Sequence, residues 1–315
     1  MSGHDGRYAP SPTGPLHLGN LRTALLAWLF ARSASSRFLL RIEDLDRGRS
    51  RPEHEDGQLR DLAAIGVDWD GEPLRQSQRA DRYEEALSQL RALGLVYPCW
   101  CTRADLRQAA SAPHGELPEG SYPGTCRELS SRQRAERERS GRPAALRVRA
   151  DAEPVAFADR RLGRVETAVD DLVVRRADGT HAYNLAVVVD DADQGVQEVV
   201  RGSDLAETTP RQVWLARRLG LPEPAYAHVP LVLGGDGRRL AKRDGAITLE
   251  ARLALGERPA TVRGALAASV GLCAPGDEPD TAQLIAAFDP DRLPRAAPHV
   301  RLPGLVPDAS TDPRG

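Results

Sequence analysis

The apolar positions at the start of the chain change period twice. Residues 6–9 read as a short strand, stopped by the breaker-rich Pro10-Ser11-Pro12-Thr13-Gly14-Pro15. Over 17–32, Leu21, Ala24, Leu25, Trp28 and Leu29 recur at helical spacing, which predicts a helix with one face on a sheet. A loop at 33–37 leads into Phe38-Leu39-Leu40-Arg41-Ile42, a buried-type strand ending on Glu43-Asp44-Leu45-Asp46. Strand, helix and strand in that order predict a parallel pair with a right-handed crossover and ligands at the strand ends.

Helical spacing returns over 53–65 and 79–93, each closed by a glycine, Gly66 and Gly94. From 99 to 143 the composition shifts to Pro, Gly, Ser and Arg, which marks an insertion. Strand-like runs resume at 145–149 and 171–175, and an Asp178-Gly179 turn leads into 183–189, a valine-rich run read as another strand. Residues 196–200 are a further strand. Thr209-Pro210 opens a helix ended by Gly220, with proline in the tolerated first turn. A run at 229–233 precedes a Gly234-Gly235-Asp236-Gly237 hairpin turn. Disorder is expected beyond 308, and there are no internal repeats.

With 28% charged residues and no apolar stretch longer than 24–31, the chain has no bilayer-spanning segment. Residues 1–12 lack an apolar h-region, so no secretory signal is expected and the predicted location is the cytoplasm. A net charge of −2 gives no global attraction for nucleic acid, so an RNA partner must meet local arginine patches. The arginine-rich 127–142 stretch is either a solvated helix face or such a patch. Of four cysteines, Cys99, Cys101 and Cys126 cluster in sequence, which points to metal rather than a disulfide framework. Four-coordinate zinc wants one more ligand, and Tyr122 and His114 are both near; histidine is the commoner donor. Cys273, among apolar residues, reads as a core thiol.

One lysine stands among 43 basic residues, Lys242 in Arg239-Leu240-Ala241-Lys242-Arg243-Asp244-Gly245. Where arginine supplies every other cation, a retained ammonium suggests a compact charge that follows a phosphate; the bland alternative is a surface lysine. A second candidate element is 10–20, between the first strand and helix. Free amides at a helix start favour anions, Gly14 and Gly19 permit close approach, and His17 adds a donor.

Together these motifs resemble the class I aminoacyl-tRNA synthetases, with His17-Leu18-Gly19-Asn20 as the HIGH element and 239–243 as the KMSKS element. Arg7-Tyr8-Ala9-Pro10-Ser11-Pro12-Thr13-Gly14, Arg41-Ile42-Glu43-Asp44, Val200-Arg201-Gly202-Ser203-Asp204 and Thr209-Pro210-Arg211-Gln212 are similar, in order, to the glutamyl-type catalytic domain. Arg239 and Ala241 depart from the usual lysine and serine, which implies weaker loop closure. The resemblance implies an α/β, Rossmann-like catalytic domain with an inserted zinc-binding subdomain and a small helical C-terminal region similar to a stem-contact region. The expected division is 1–96 and 171–225 for the two catalytic halves, 97–170 for the insertion, 226–307 for the KMSKS-like loop and helical region, and 308–315 for the tail. By the same resemblance Lys242 and His17 are catalytic, and His17, Gly19, Asn20 and Lys242 bind ATP with Mg²⁺. Arg7 and Arg201 meet the glutamate carboxylates and Glu43 its ammonium, with Ala9, Ser11 and Tyr183 completing the pocket. Two forks and one anion suit an amino acid with two carboxylates, and glutamine would leave an arginine unpaired.

Cys-x-Cys followed by Tyr-x-x-x-Cys is similar to the zinc site of the glutamyl-queuosine tRNA(Asp) synthetase family, implying one structural zinc on Cys99, Cys101, Tyr122 and Cys126. Only 73 residues follow Lys242, where discriminating glutamyl-tRNA synthetases carry an anticodon-binding region of roughly 100 or more. That family, matched over about 7–272, implies ATP-dependent transfer of L-glutamate to queuosine at the wobble position of tRNA(Asp), by a monomer without membrane contact. A shortened glutamyl-tRNA synthetase charging tRNA(Glu) or tRNA(Gln), and a catalytically silent RNA or nucleotide binder, are the competing readings.

Overall fold

The computed structural model describes residues 4–102, 105, 121–233, 240 and 247–293, and the backbone of 299–300; Arg239, Ala241, Lys242, His114, the 234–237 turn and the tail lie outside them. The predicted opening unit is present as β1 (Gly6–Tyr8), α1 (Leu18–Ser33) and β2 (Phe38–Ile42), with the strands parallel and Gly6 opposite Phe38. α2 (Pro52–Ala64), β3 (Leu74–Arg75) and α3 (Ala80–Ala92) follow. Gly66 and Gly94 sit just past the two helices at φ 85° and 70°, left-handed positions that glycine fills without strain. Next come β4 (Val96–Cys99), α4 (Ser131–Arg139), β5 (Ala145–Val148), β6 (Glu153–Asp159), β7 (Gly163–Val169), β8 (Val173–Arg175) and α5 (Tyr183–Asp193). The order ends with β9 (Glu198–Gly202), α6 (Thr209–Leu219), β10 (Ala225–Val229), β11 (Leu231–Val232), α7 (Leu249–Ala254), α8 (Pro259–Ala268), α9 (Thr281–Ala287) and β12 (His299–Val300).

The main sheet has the order β3-β2-β1-β9-β10-β6-β7, parallel throughout except for the β6–β7 hairpin. Its two faces are covered separately, as a doubly wound sheet requires. Phe38, Leu40 and Ile42 pack with α1 and the C-terminal helices, whereas Leu39 points into the second core built by α3, α5 and α6. The intended face of α1 is buried, and so are Leu26, Ala27, Phe30 and Ala31, because the C-terminal helices cover its outer side; Phe30 meets Phe288 edge-on at 5.2 Å. Strands β4, β5 and β8 form a separate antiparallel sheet. Helix α4 buries no side chain, as a solvated arginine-rich face would. No helix among the described residues is long and apolar enough to cross a membrane.

Two features differ from the sequence reading. Residues 183–189 are the first turns of helix α5, not a strand: Leu185 to Val189 are buried on every side, so the run carries neither period, and its β-branched valines mislead. The β6–β7 hairpin falls inside the stretch assigned to the insertion, yet β6 pairs with β10, Tyr226 opposite Asp159, and extends the main sheet.

Candidate active site

Strand order reverses between β1 and β9, and in open parallel sheets the crevice beyond such a point is where ligands sit. A cleft of about 690 Å³ opens there, lined by the 7–17 segment after β1 and the 200–205 segment at the end of β9. Arg7, Ala9, Ser11, His17, Gly19, Asn20, Glu43, Tyr183 and Arg201 all line it, so nine residues scattered over the sequence meet in one place. Lys242 lies outside the described residues.

One end of the cleft is the start of α1. His17 is its N-cap: Nδ1 accepts the Asn20 amide at 3.2 Å while Asn20 Oδ1 accepts the His17 amide at 3.3 Å. Because Nδ1 accepts, the ring proton belongs on Nε2. A Cβ on Gly19 would stand 3.0 Å from that ring, so glycine lets the imidazole fold back over the helix end. Gly14 has no protein atom within 4 Å of where its Cβ would be, which leaves open space on the cleft wall. The loop is clamped from behind by buried Gln58, whose Nε2 donates to the carbonyls of Ser11 at 3.0 Å and Gly14 at 2.7 Å.

The other end is ionic and lies on one face of the sheet. Side chains alternate along a strand, so Arg7 on β1, Arg41 on β2, Arg201 on β9 and His228 on β10 share the face that α5 and α6 cover. α5 answers them with carboxylates. Asp191 accepts Arg7 Nε at 3.1 Å and Arg41 Nη1 at 2.6 Å, and Asp190 accepts Arg79 Nε at 2.6 Å, Gln76 at 2.8 Å and the Tyr83 hydroxyl at 2.8 Å. Burial works against the Arg41 charge, but Asp191, Glu43 and Asp190 outweigh it and raise its pKa. Burial likewise opposes the Asp191 charge, yet Arg41 and Arg7 hold its carboxyl below the ordinary range. Glu43 differs. Its closest cation is Arg41 at 3.5 Å, and burial pushes its pKa up despite Arg41 and Arg7. Tyr183, at the start of α5, lines the cleft with an exposed side chain.

Arg201 is buried, with Nε on His228 Nε2 at 3.2 Å and Nη2 on Thr209 Oγ1 at 2.7 Å; Nη1 is buried with no partner. An unmatched buried donor costs roughly 1–3 kcal/mol, and Arg201, a residue lining the cleft, carries one. Sequence reasoning finds Arg7, Glu43 and Arg201 through their motifs but misses Asp191, Asp159 and His228. The signal for Asp191 is a pair of carboxylates directly after an apolar helical run.

Away from the cleft, the sulfurs of Cys99, Cys101 and Cys126 lie within 4.8 Å of one another and can hold a metal ion. Tyr122 Oη stands 3.4 Å from Cys99 Sγ and 3.7 Å from Cys101 Sγ. Zinc–sulfur bonds of about 2.3 Å in a tetrahedron place donors roughly 3.8 Å apart, close to this spacing. Supporting donors surround the cluster: the Cys126 amide on Tyr122 Oη at 2.8 Å, the Trp100 amide on Cys126 Sγ at 3.4 Å and Arg147 Nε on Cys99 Sγ at 3.3 Å. Hydrogen bonding from the Cys101 thiol, with lesser help from Tyr122 and the Arg147 charge, brings Cys99 down to about 4 against burial. The alternative fourth donor, His114, lies outside the described residues. Cys273 is half-buried and donates to the Gly264 carbonyl at 3.4 Å.

A family model described as the catalytic domain of class I tRNA synthetases (E and Q) matches residues 5–266. The glutamyl-Q tRNA(Asp) synthetase of Nocardia farcinica is 60% identical over 293 residues, 93% of this chain and 92% of its own. That of Symbiobacterium thermophilum is 50% identical over 313 residues, 95% of each chain. Among solved structures, the glutamate tRNA ligase of Elizabethkingia meningosepticum is similar with a TM-score of 0.80 at 26% identity, covering 96% of this chain and 67% of that one.

Proposed function

The chain belongs to the glutamyl-Q tRNA(Asp) synthetase family, and on that premise we propose how its cleft divides the work. The enzyme activates L-glutamate with ATP and transfers it to queuosine-modified tRNA(Asp). The observation that carries the assignment of the amino-acid end is the meeting of Arg201, Arg7 and Glu43 on the wall of one cleft. Arg201 and Arg7 take the two carboxylates of glutamate, and Glu43 takes its ammonium; an ammonium near Glu43 relieves the burial that raises its pKa. Ala9, Ser11 and Tyr183 shape the same end.

At the α1 end, His17, Gly19 and Asn20 hold ATP, with its phosphates at the positive end of the helix beside the His17 ring. Mg²⁺ enters with ATP as part of the substrate. The glutamate α-carboxylate attacks the α-phosphorus in line, pyrophosphate leaves, and Lys242 follows the developing charge. A queuosine hydroxyl then attacks the mixed anhydride and releases AMP, mostly by positioning, with the adenylate phosphate as internal base. No protein nucleophile is required. Cys99, Cys101, Tyr122 and Cys126 would hold one zinc ion, whose contribution is structural, tying β4 to the segment before α4.

The test is transfer of labelled glutamate, with ATP and Mg²⁺, onto tRNA(Asp) prepared with and without queuosine, beside tRNA(Glu). Label on tRNA(Asp) only when queuosine is present is expected; label on tRNA(Glu) regardless of queuosine would replace this reading with a shortened glutamyl-tRNA synthetase. In the same assay Lys242→Arg keeps the charge yet should lose activity by orders of magnitude, and near-normal transfer would remove Lys242 from the mechanism.

A further inference from the structure

Behind Arg201 runs a chain of buried contacts that starts at the edge hairpin. Asp159, the last residue of β6, accepts the amides of Arg161 and Leu162 at 2.8 Å each, which fixes its carboxylate at the turn. Its Oδ2 lies 2.6 Å from His228 Nδ1 and accepts the His228 amide at 3.1 Å. A carboxylate at that distance assigns the ring proton to Nδ1, so Nε2 is a bare acceptor. That acceptor receives Arg201 Nε–H at 3.2 Å, and Thr209 Oγ1 lies 3.1 Å away. Asp159, Thr209 and His228 are all buried, and the rings of Tyr226 and His228 are nearly parallel, 10° apart, with centroids 6.1 Å from each other. The guanidinium is therefore held at two of its three nitrogens, while the third, Nη1, is buried without a partner in a residue that lines the cleft.

We propose that His228 is a positioning residue for glutamate: fixed as its Nδ1–H tautomer by Asp159, it takes Arg201 Nε–H and so holds the guanidinium in place for the substrate carboxylate. This rests on the assignment of Arg201 to glutamate made above. The neutral ring separates Asp159 from Arg201, so the carboxylate orients the arginine without capturing it. Arg7 differs, since Asp191 holds its guanidinium directly through Nε at 3.1 Å.

Two amide replacements separate this role from a structural one. Gln at 228 carries its polar atoms near the position of Nε2 and can still accept from Arg201, whereas Asn reaches only the position of Nδ1 and can still meet Asp159. Glutamate affinity, measured by calorimetry on the full chain, should weaken roughly tenfold or more in His228→Asn and stay within a few-fold of wild type in His228→Gln. ATP affinity should be unchanged in both. Asp159→Asn, which can donate to Nδ1 and force the proton onto Nε2, should weaken glutamate binding as His228→Asn does. Equal glutamate affinities for the Asn and Gln variants, or losses of glutamate and ATP affinity that track the thermal midpoint, would overturn the proposal. A wild-type protein that binds glutamate but does not transfer it would sink the tRNA assignment alone, leaving the His228 comparison intact; one that does not bind glutamate overturns both.

Discussion

Arg41 has a completely buried side chain, and its nearest carboxylate, Asp191, also serves Arg7. Asp191→Asn removes the charge that both guanidiniums share and should cost about 3–5 kcal/mol of folding free energy, read from urea unfolding near pH 7. The pH dependence has a definite sign. Asp191 has a depressed folded pKa, so its stabilisation is complete above the ordinary carboxylate value of 3.8 and is lost as pH falls through the lower folded value. Glu43 has a raised folded pKa, so it destabilises as pH climbs past its ordinary 4.5, and Glu43→Gln should remove that slope. Measured between pH 3 and 7, the two single variants should change the stability curve in opposite directions. Arg7, Arg201 and Glu43 can be picked out in the sequence because each sits in a short motif at a strand end. Asp191 is marked only as one of two carboxylates after an apolar run, because its value lies in facing strands β1 and β2, about 150 to 180 residues away in sequence.

Helix α5 is where local sequence is least informative. A stretch buried on all sides gives no period, and only the inward Asp190 and Asp191 mark which way it turns. The opening β1–α1–β2 unit is legible although its helix is also buried on most sides, because the breaker-rich 10–15 turn and the 33–37 loop bound its elements. The three-cysteine group is legible in the sequence, while the proposal of Tyr122 as fourth donor is supported by its approach to Cys99 and Cys101. Metal analysis of the purified protein should find one zinc per chain; Cys126→Ser should abolish it and Tyr122→Phe weaken its retention against a chelator. Full retention in the Phe variant would hand the fourth position to another donor. Packing between α8 and the loop before α9 can be tested too. A Cβ on Gly264 would lie 2.0 Å from the Asp277 carbonyl oxygen, so Gly264→Ala should destabilise by about 1–3 kcal/mol or more, seen as a lower thermal midpoint.

Over the whole molecule, the sheet is assembled from segments far apart in the chain, and the ionic face of the cleft exists only when β1, β2, β9 and β10 stand side by side. The sequence makes β1, β2 and β9 visible, but not β3, β10 or the edge hairpin of β6 and β7, which follows a compositional break. In the finished fold β1 is an interior strand. Its neighbour β2 follows at once, but its other neighbour begins with Glu198, about 190 residues after Gly6. At roughly 5–20 residues per second on a ribosome, that interval is on the order of 10–40 s. For that time the β1 side of the nascent unit is an open strand edge, the kind of surface on which chains join one another. Crowding of ribosomes on the message should therefore lower the soluble yield more than slow initiation does, a cost set by strand order rather than by the stability of the completed protein.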